Sequence, residues 1–432
     1  MFFLSGHQGA WHHSVDCFGR GPVCDSRASP LNFSITGRYD NRQDSAHSLD
    51  NQVFAVIRPW PHAPRFIGSE IYRGSSYGAH HPLRVARVST VIDLARALGW
   101  FADGQYVISP RAKPSALAAW HDPAYLSALM RAENGTLASD EARRHHLGTA
   151  SNPIFPEMFR RPATAAGGSI LAGQMLRHGG VIHSPGGGTH HGLPDRANGF
   201  CYLNDPALAI LSLRSVGVRR IAYVDIDAHH CDGVEHGFAE DPDVMLISVH
   251  EERRWPFTGA LEDRGAGQVW NLPVPRGFND TEMSAVLDRL ILLRLADFRP
   301  EAVILQCGAD ALMEDPLSRL ALSNNAHLEV VAALQQVAPR YLVLGGGGYN
   351  PWSVGRCWAA VWGVLNGHSL PERLPPVAEA ILRALSFPGH RMGKAPPDHW
   401  FTTLRDTQRT GKVSETVDAR LHRLEARAVV WH

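Results

Sequence analysis

From about residue 82 onward, the apolar positions follow one of two patterns. Val85, Val88, Val91, Ile92, Ala95 and Leu98 keep one helical face apolar and predict a helix that begins near Pro82. From about residue 178 the texture shifts to short apolar runs rich in β-branched residues: Val181-Ile182, Ile221 to Val224, Val244 to Val249, Ala302 to Leu305 and Tyr341 to Leu344. Such continuous runs are expected of strands covered on both faces. Helical stretches at 205–215, 281–297 and 326–338 fall between them. Strand, loop and helix in repetition predict an α/β fold with a central, mainly parallel sheet and helices on both faces. Residues 1–65 are rich in Gly, Ser, Asn, Asp, Arg and Pro and keep no sustained period, which predicts a poorly ordered arm. Residues 66–385 are then expected to form one folded domain, and 386–432 a peripheral C-terminal extension.

Composition narrows the function. The 42 Lys and Arg balance the 42 Asp and Glu, with no long run of one sign, so the chain lacks the basic footprint of a nucleic-acid binder. Any macromolecular partner must be recognised locally. The six cysteines, at 17, 24, 201, 231, 307 and 357, form no Cys-x-x-Cys pair and do not read as a disulfide framework, so a reducing cytoplasm is the expected compartment. No apolar run is long enough to span a bilayer, and Met1 to Leu4 is too short for the apolar core of a signal peptide. The oligomeric state is not legible.

The unusual polar residues cluster just after the strand ends. The five runs lead into Ser184-Pro-Gly-Gly-Gly-Thr-His-His, Asp225-Ile-Asp-Ala-His-His-Cys-Asp-Gly, Ser248-Val-His, Gln306-Cys-Gly-Ala-Asp and Gly345-Gly-Gly-Gly-Tyr. Ligands of open parallel sheets bind beyond the carboxyl ends of the strands, so these loops should converge on one site. Asp225, Asp227 and His229 alternate and begin on one face, with His230 and Asp232 brought near by the following turn. Two carboxylates and an imidazole in an apolar strand are costly without a cation. Oxygen and nitrogen donors suit zinc, which at a catalytic site takes three protein ligands and keeps a position open. Asp227 and His229 supply two, and Asp310, after another strand, is the best-placed third; iron(II) accepts similar donors. The tandem His190 and His191 form either a second metal site or a proton-transfer pair. The spare Asp225 and Asp232 favour catalysis, since each can accept a hydrogen bond from one imidazole. Tyr349, after four glycines, could donate its hydroxyl proton to a developing oxyanion. Phosphate cradling is disfavoured, because that run lacks the Lys-Ser/Thr pair of a P-loop.

Taken together, Thr189-His-His-Gly, Gly199-Phe-Cys-Tyr-Leu-Asn-Asp, the Asp225 segment, Gly308-Ala-Asp-Ala-Leu and Gly345-Gly-Gly-Gly-Tyr resemble the histone deacetylase superfamily in kind and order. Ser76-Tyr-Gly-Ala-His-His-Pro-Leu-Arg and the spacing around the tyrosine loop are similar to its bacterial acetoin utilization branch. The resemblance covers roughly residues 66–385 and implies an arginase-like α/β deacetylase domain with zinc on Asp227, His229 and Asp310. It implies that His191, paired with Asp232, is the main general base and acid, that His190, paired with Asp225, supports it, and that Tyr349 polarises the acetyl carbonyl. Gly199 and Phe200 would lie along an acetyl-lysine stem, with Trp255 as the opposing wall. Relatives also imply a structural potassium ion at Asp225, Asp227, His229, Ser248 and Val249. Two positions depart from the family pattern. Cys231 replaces a usual Gly, and is read as a packed thiol rather than a redox handle. Ser151 stands where relatives often carry an Asp that anchors the substrate backbone.

The expected activity is therefore zinc-dependent hydrolysis of an N-acetyl amide, releasing acetate and a free amine. An acetylated protein is the first substrate choice and a small acetylated amine, such as an acetylpolyamine, the alternative. A catalytically silent acyl-lysine binding protein is the reading from another class. A binuclear manganese hydrolase fits the ligand set less well.

Overall fold

The computed structural model describes residues 62–387 and 396–427. The expected arm lies outside them except for its last four residues. Within those, a strand already begins at Arg65.

Eight strands form one wholly parallel sheet: β1 (Arg65–Gly68), β2 (Tyr106–Ile108), β3 (Gly180–Ser184), β4 (Ile221–Asp225), β5 (Val244–Glu251), β6 (Val269–Val274), β7 (Ala302–Gln306) and β8 (Arg340–Leu344), in the order β2-β1-β3-β8-β7-β4-β5-β6. The α/β, mainly parallel expectation is met, and the five strands read from the sequence are the contiguous central ones. Their registers pair Asp225 with Ser248 on one side and with Gln306 on the other. The polar strand ends therefore stand side by side.

The strands sort their side chains between two cores. Ala222, Val224, Met245, Ile247, Val303, Leu305, Tyr341 and Val343 point into one core, closed by helices that include Val88–Ala97, Asn324–Leu334 and Pro351–Leu365. Ile221, Tyr223, Val244, Leu246, Ala302, Ile304, Leu342 and Leu344 point into the other, under Arg160–Met175 and Asp205–Ser215. This period-two division is what strands buried on both faces require, and each fully buried aliphatic side chain contributes roughly 1.5–3 kcal/mol.

The helix at 205–215 has the expected bounds, since Asn204 caps it by accepting from the Ala207 amide. The helix expected near Pro82 differs: Pro82–Arg84 is a single 3-10 turn, Val85 is extended, and the α-helix starts at Val88. The 281–297 stretch is helical from Asp280 to Phe298 but widens into a π segment over Leu287–Leu292. In the expected C-terminal extension, the helix Glu415–Glu425 buries Val417, Leu421 and Leu424 in the first core, and Arg289 clamps its Asp418 and Glu425. Among the described residues, no helix is long and apolar enough to cross a membrane.

Candidate active site

The loops after β3, β4, β7 and β8 meet over the carboxyl edge of the sheet. His229 Nδ1 lies 3.1 Å from Asp227 Oδ1 and 2.9 Å from Asp310 Oδ2, and the three offer ligand atoms within 4.8 Å of one another. All three are buried. Asp310 lies in a 3-10 turn, Ala309–Ala311, three residues beyond β7, and the Ala228 amide donates to its Oδ1. Asp227 Oδ2 accepts from Gln306 Nε2 and from the Gly347 amide, both at 2.8 Å. The glycine loop after β8 thus comes against the acids. A β-carbon at Gly347 would stand 2.0 Å from Asp310 Oδ2. Arg87 ties that loop from behind, donating to the Gly346 carbonyl at 2.7 Å.

The electrostatics ask for a cation. Burial raises Asp310, and the Asp227 charge adds to this, pushing it up to about 6. Burial also acts to raise Asp227, but His190, His229 and Gln306 overcome it and hold this carboxyl well below the usual range. At His229 burial opposes the charged form, yet Asp310 and Asp227 prevail and push the imidazole up to about 10. The cluster draws one positive charge to its centre, and a divalent ion on two oxygens and a nitrogen meets that demand as a proton does. The donor set fits zinc.

The paired imidazoles sit beside it. His190 Nδ1 is 2.7 Å from Asp225 Oδ2, His191 Nδ1 is 2.6 Å from Asp232 Oδ1, and the two Nε2 atoms are 3.0 Å apart. Each Nδ1 faces a carboxylate and so carries its proton, and the contact between the Nε2 atoms needs one more. The pair then holds a single positive charge. Burial lowers both rings. At His190 the Asp225 and Asp227 charges reverse this to about 9, whereas at His191 the His190 charge adds to burial and holds it down at about 4. The carboxylates are themselves fixed: Tyr223 donates to Asp225 Oδ2 at 2.7 Å, and Asn198 to Asp232 Oδ2 at 2.9 Å.

A cavity of about 720 Å³ leads to this group, lined among others by Phe200, Trp255, His191, His229, Leu317 and Tyr349. Trp255 crosses so close to Gly199 that a β-carbon there would meet its Cη2 at 2.1 Å. Phe200 is held at φ 69, in the left-handed region, by its backbone amide, which donates to Asn152 Oδ1, and by Tyr77, whose hydroxyl donates to its carbonyl. Backbone strain of this kind persists where the surroundings over-determine it. Tyr349 stands edge-on to Phe200, ring centroids 5.8 Å apart, and its amide donates to Asp315.

The structure therefore brings together every residue expected for the metal, for proton transfer and for the channel walls. Ser151 lines the mouth of the cavity, and its carbonyl faces His81 Nε2 at 3.2 Å. Ser248 Oγ lies 2.9 Å from His250 Nδ1, and the Val249 side chain points into the first core. Cys231 is fully buried in the second core, where desolvation raises its thiol well above the ordinary value, so the packed-thiol reading holds. His230 is near Asp232, as expected, and its ring nitrogens are taken by Thr258 and Glu235. Gln306, Asn152, Asn198 and Arg87 were not picked out from the sequence.

The stretch of chain that carries these loops is similar to known proteins. The histone deacetylase domain model matches residues 81–365. The chain is 33% identical over 324 residues to the acetoin utilization protein AcuC of Bacillus subtilis, spanning 71% of this chain and 84% of that protein. It is 34% identical over 313 residues to histone deacetylase 9 of Arabidopsis thaliana, 70% of this chain and 73% of the relative. Its coordinates superpose on the crystal structure of an HDAC homologue from Aquifex aeolicus with a TM-score of 0.81 at 34% identity, covering 84% of this chain and all of the other. An HDAC homologue complexed with SAHA superposes equally well. A match that runs through the His190, Asp225, Asp310 and Tyr349 loops, with the sheet beneath them, has one meaning: the chain belongs to the histone deacetylase family.

Proposed function

We propose that this chain is a zinc-dependent amidohydrolase that removes the acetyl group from acetyl-lysine in a protein or peptide. One observation carries the reading: the Asp227, His229 and Asp310 ligand atoms converge at the foot of a cavity walled by Phe200 and Trp255, with the His191 imidazole alongside. Such a channel suits an aliphatic stem ending in an amide.

Zinc held by those three residues would polarise the acetyl carbonyl and lower the pKa of a water in its open position. His191, whose Nδ1 proton Asp232 fixes, would exchange its Nε2 contact with His190 for the attacking water and serve as the base that accepts that water's proton. His190, held by Asp225, carries the positive charge of the pair and steadies the negative charge that develops. Tyr349 donates its hydroxyl to the acetyl oxygen as that atom becomes negative. The proton taken up by the imidazole pair then passes to the leaving amine, the C–N bond breaks, and acetate and lysine depart. Behind the acids, Asp225, Asp227, His229, Ser248 and Val249 would hold a potassium ion, a reading supported by Asp225 and Ser248 standing opposite one another in register.

The test is acetate release from acetyl-lysine peptides by protein of measured metal content, beside an Asp310→Ala control. Turnover should track bound zinc and vanish in the variant. Full turnover after complete metal removal would sink the metal reading, and no release from loaded protein would leave a silent binding protein in its place.

A further inference from the structure

The channel explains how an acetyl-lysine stem is held, but the chemistry around its mouth bears on what surrounds that lysine. Among the residues lining the cavity there is no Asp or Glu, whereas Arg253 and Arg254 both reach it. The two arginines differ in state. Arg254 is spent on structure: it forms a two-pronged pair with Glu251 and donates to the Leu317 carbonyl. Arg253 is exposed, sits at φ 55 where it is turned outward from β5, and makes no hydrogen bond or ion pair among the described residues. Arg253 also borders a second hollow, whose acids are held by other groups: Glu251 by Arg254, Glu252 by Arg420, Glu262 by Arg423, Glu235 by His230 and Asn271, and Asp263 by the Ala260 amide. On the facing rim, His146, Thr149, Ser151 and Asn152 bring no negative charge, and the helix Ser139–Arg144 that leads into it ends in two exposed arginines, Arg143 and Arg144. The same helix carries Asp140 and Glu141, the latter paired with Arg131. A chain with no net charge overall therefore turns a positive rim toward its substrate.

We propose that this mouth selects acetyl-lysine carried in an acidic sequence, with a carboxylate neighbouring the acetylated residue meeting the Arg253 guanidinium. The inference rests on the deacetylase reading and adds the substrate's charge to it. The same rim offers no acid to the second ammonium of an acetylated polyamine, so a polycation is the substrate class it serves worst.

The experiment compares two peptides of equal length with one acetyl-lysine each, flanked in one by Asp and Glu and in the other by Lys and Arg, together with an N-acetylated polyamine. Acetate release by zinc-loaded protein gives kcat/KM, and fluorescence anisotropy of labelled peptides gives Kd. The acidic peptide should lead by about threefold or more at low ionic strength, as an exposed ion pair allows, and the lead should shrink as salt screens it. Arg253→Glu should reverse the order. Equal values for the two peptides in the unaltered protein, a lead for the basic one, or faster turnover of the polyamine than of the acidic peptide would each overturn the proposal. Absence of turnover with every substrate would strike the deacetylase reading instead, and the ratio of the two Kd values would still decide the charge preference.

Discussion

His121 links the stability of the fold to the loop that carries the histidine pair, and its protonation should be visible as acid sensitivity. The ring is almost fully buried. Its Nδ1 faces the Pro194 carbonyl at 3.3 Å, and its Nε2 accepts from the Asn204 amide at 2.9 Å. Asn204 in turn donates from Nδ2 to the Gly192 carbonyl at 2.9 Å and to the His190 carbonyl at 3.3 Å, so the 188–192 loop hangs from this contact. A proton on Nε2 would remove the acceptor. Burial accordingly lowers the imidazole, against the two backbone carbonyls, to about 4. The unfolded chain has the ordinary value of about 6.5, so between these values it binds more protons than the native state. Stability from this group is therefore complete above about pH 6.5, lost as the pH falls toward 4, and the full difference is about 3 kcal/mol. His121→Gln keeps an acceptor for Asn204 and cannot titrate. Urea unfolding at about pH 7 and about pH 4.5, in chelator so that metal loss is common to both proteins, should show the unaltered protein losing about 2 kcal/mol more than the variant over that interval. Equal losses in the two proteins would refute the reasoning, because they would mean that His121 takes up its proton in the folded state at no cost.

Three further outcomes follow from the geometry. Tyr349→Phe should lower kcat about a hundredfold with the peptide Kd little changed, as loss of one oxyanion donor does, and unchanged turnover would remove the hydroxyl from the mechanism. Gly347→Ala places its β-carbon against Asp310 Oδ2 and within 3.0 Å of Asp227 Oδ2, so zinc affinity, read by competition with a chromophoric chelator, should fall about 10–100-fold. An affinity within error of the original would show that the loop yields freely. Asp406→Ala strips the partner, 2.7 Å away, from the fully buried Arg356 guanidinium, and chemical denaturation should report a loss of about 3–5 kcal/mol. A loss below about 1 kcal/mol would mean that the Thr403 and Arg405 carbonyls alone satisfy that charge.

What the sequence could disclose depended on whether a residue's role was set locally. The five central strands are continuous apolar runs because both faces are covered, and that pattern needs no knowledge of the neighbours. The three strands outside that central set escaped for equally physical reasons. β1 is only four residues long and opens inside a stretch of loop-like composition, β2 has three residues with Ile108 exposed, and β6 contains Pro273, which demotes a run on inspection. Asp227 and His229 were legible from alternation alone. His230, in the turn beyond the strand, is near Asp232 as expected but spends its two ring nitrogens on Thr258 and Glu235 rather than on the metal cluster.

Gln306 marks where local reasoning ends. It is an ordinary amide at the end of an apolar strand, and its importance lies in being the register partner of Asp225, from which position its Nε2 reaches Asp227 and its Oε1 takes the Gly308 amide. Nothing in its own neighbourhood announces this. The signal exists only as a relation between two strands whose paired residues lie 81 positions apart and that the sequence does not say are adjacent. Asn204 and His121 act in the same way, through carbonyls and amides of distant loops. Residues whose chemistry is rare, such as a carboxylate in an apolar strand, betray themselves because their cost demands a partner. Residues that supply the partner with a neutral hydrogen bond cost little where they stand, and so become visible only when the fold sets them in place.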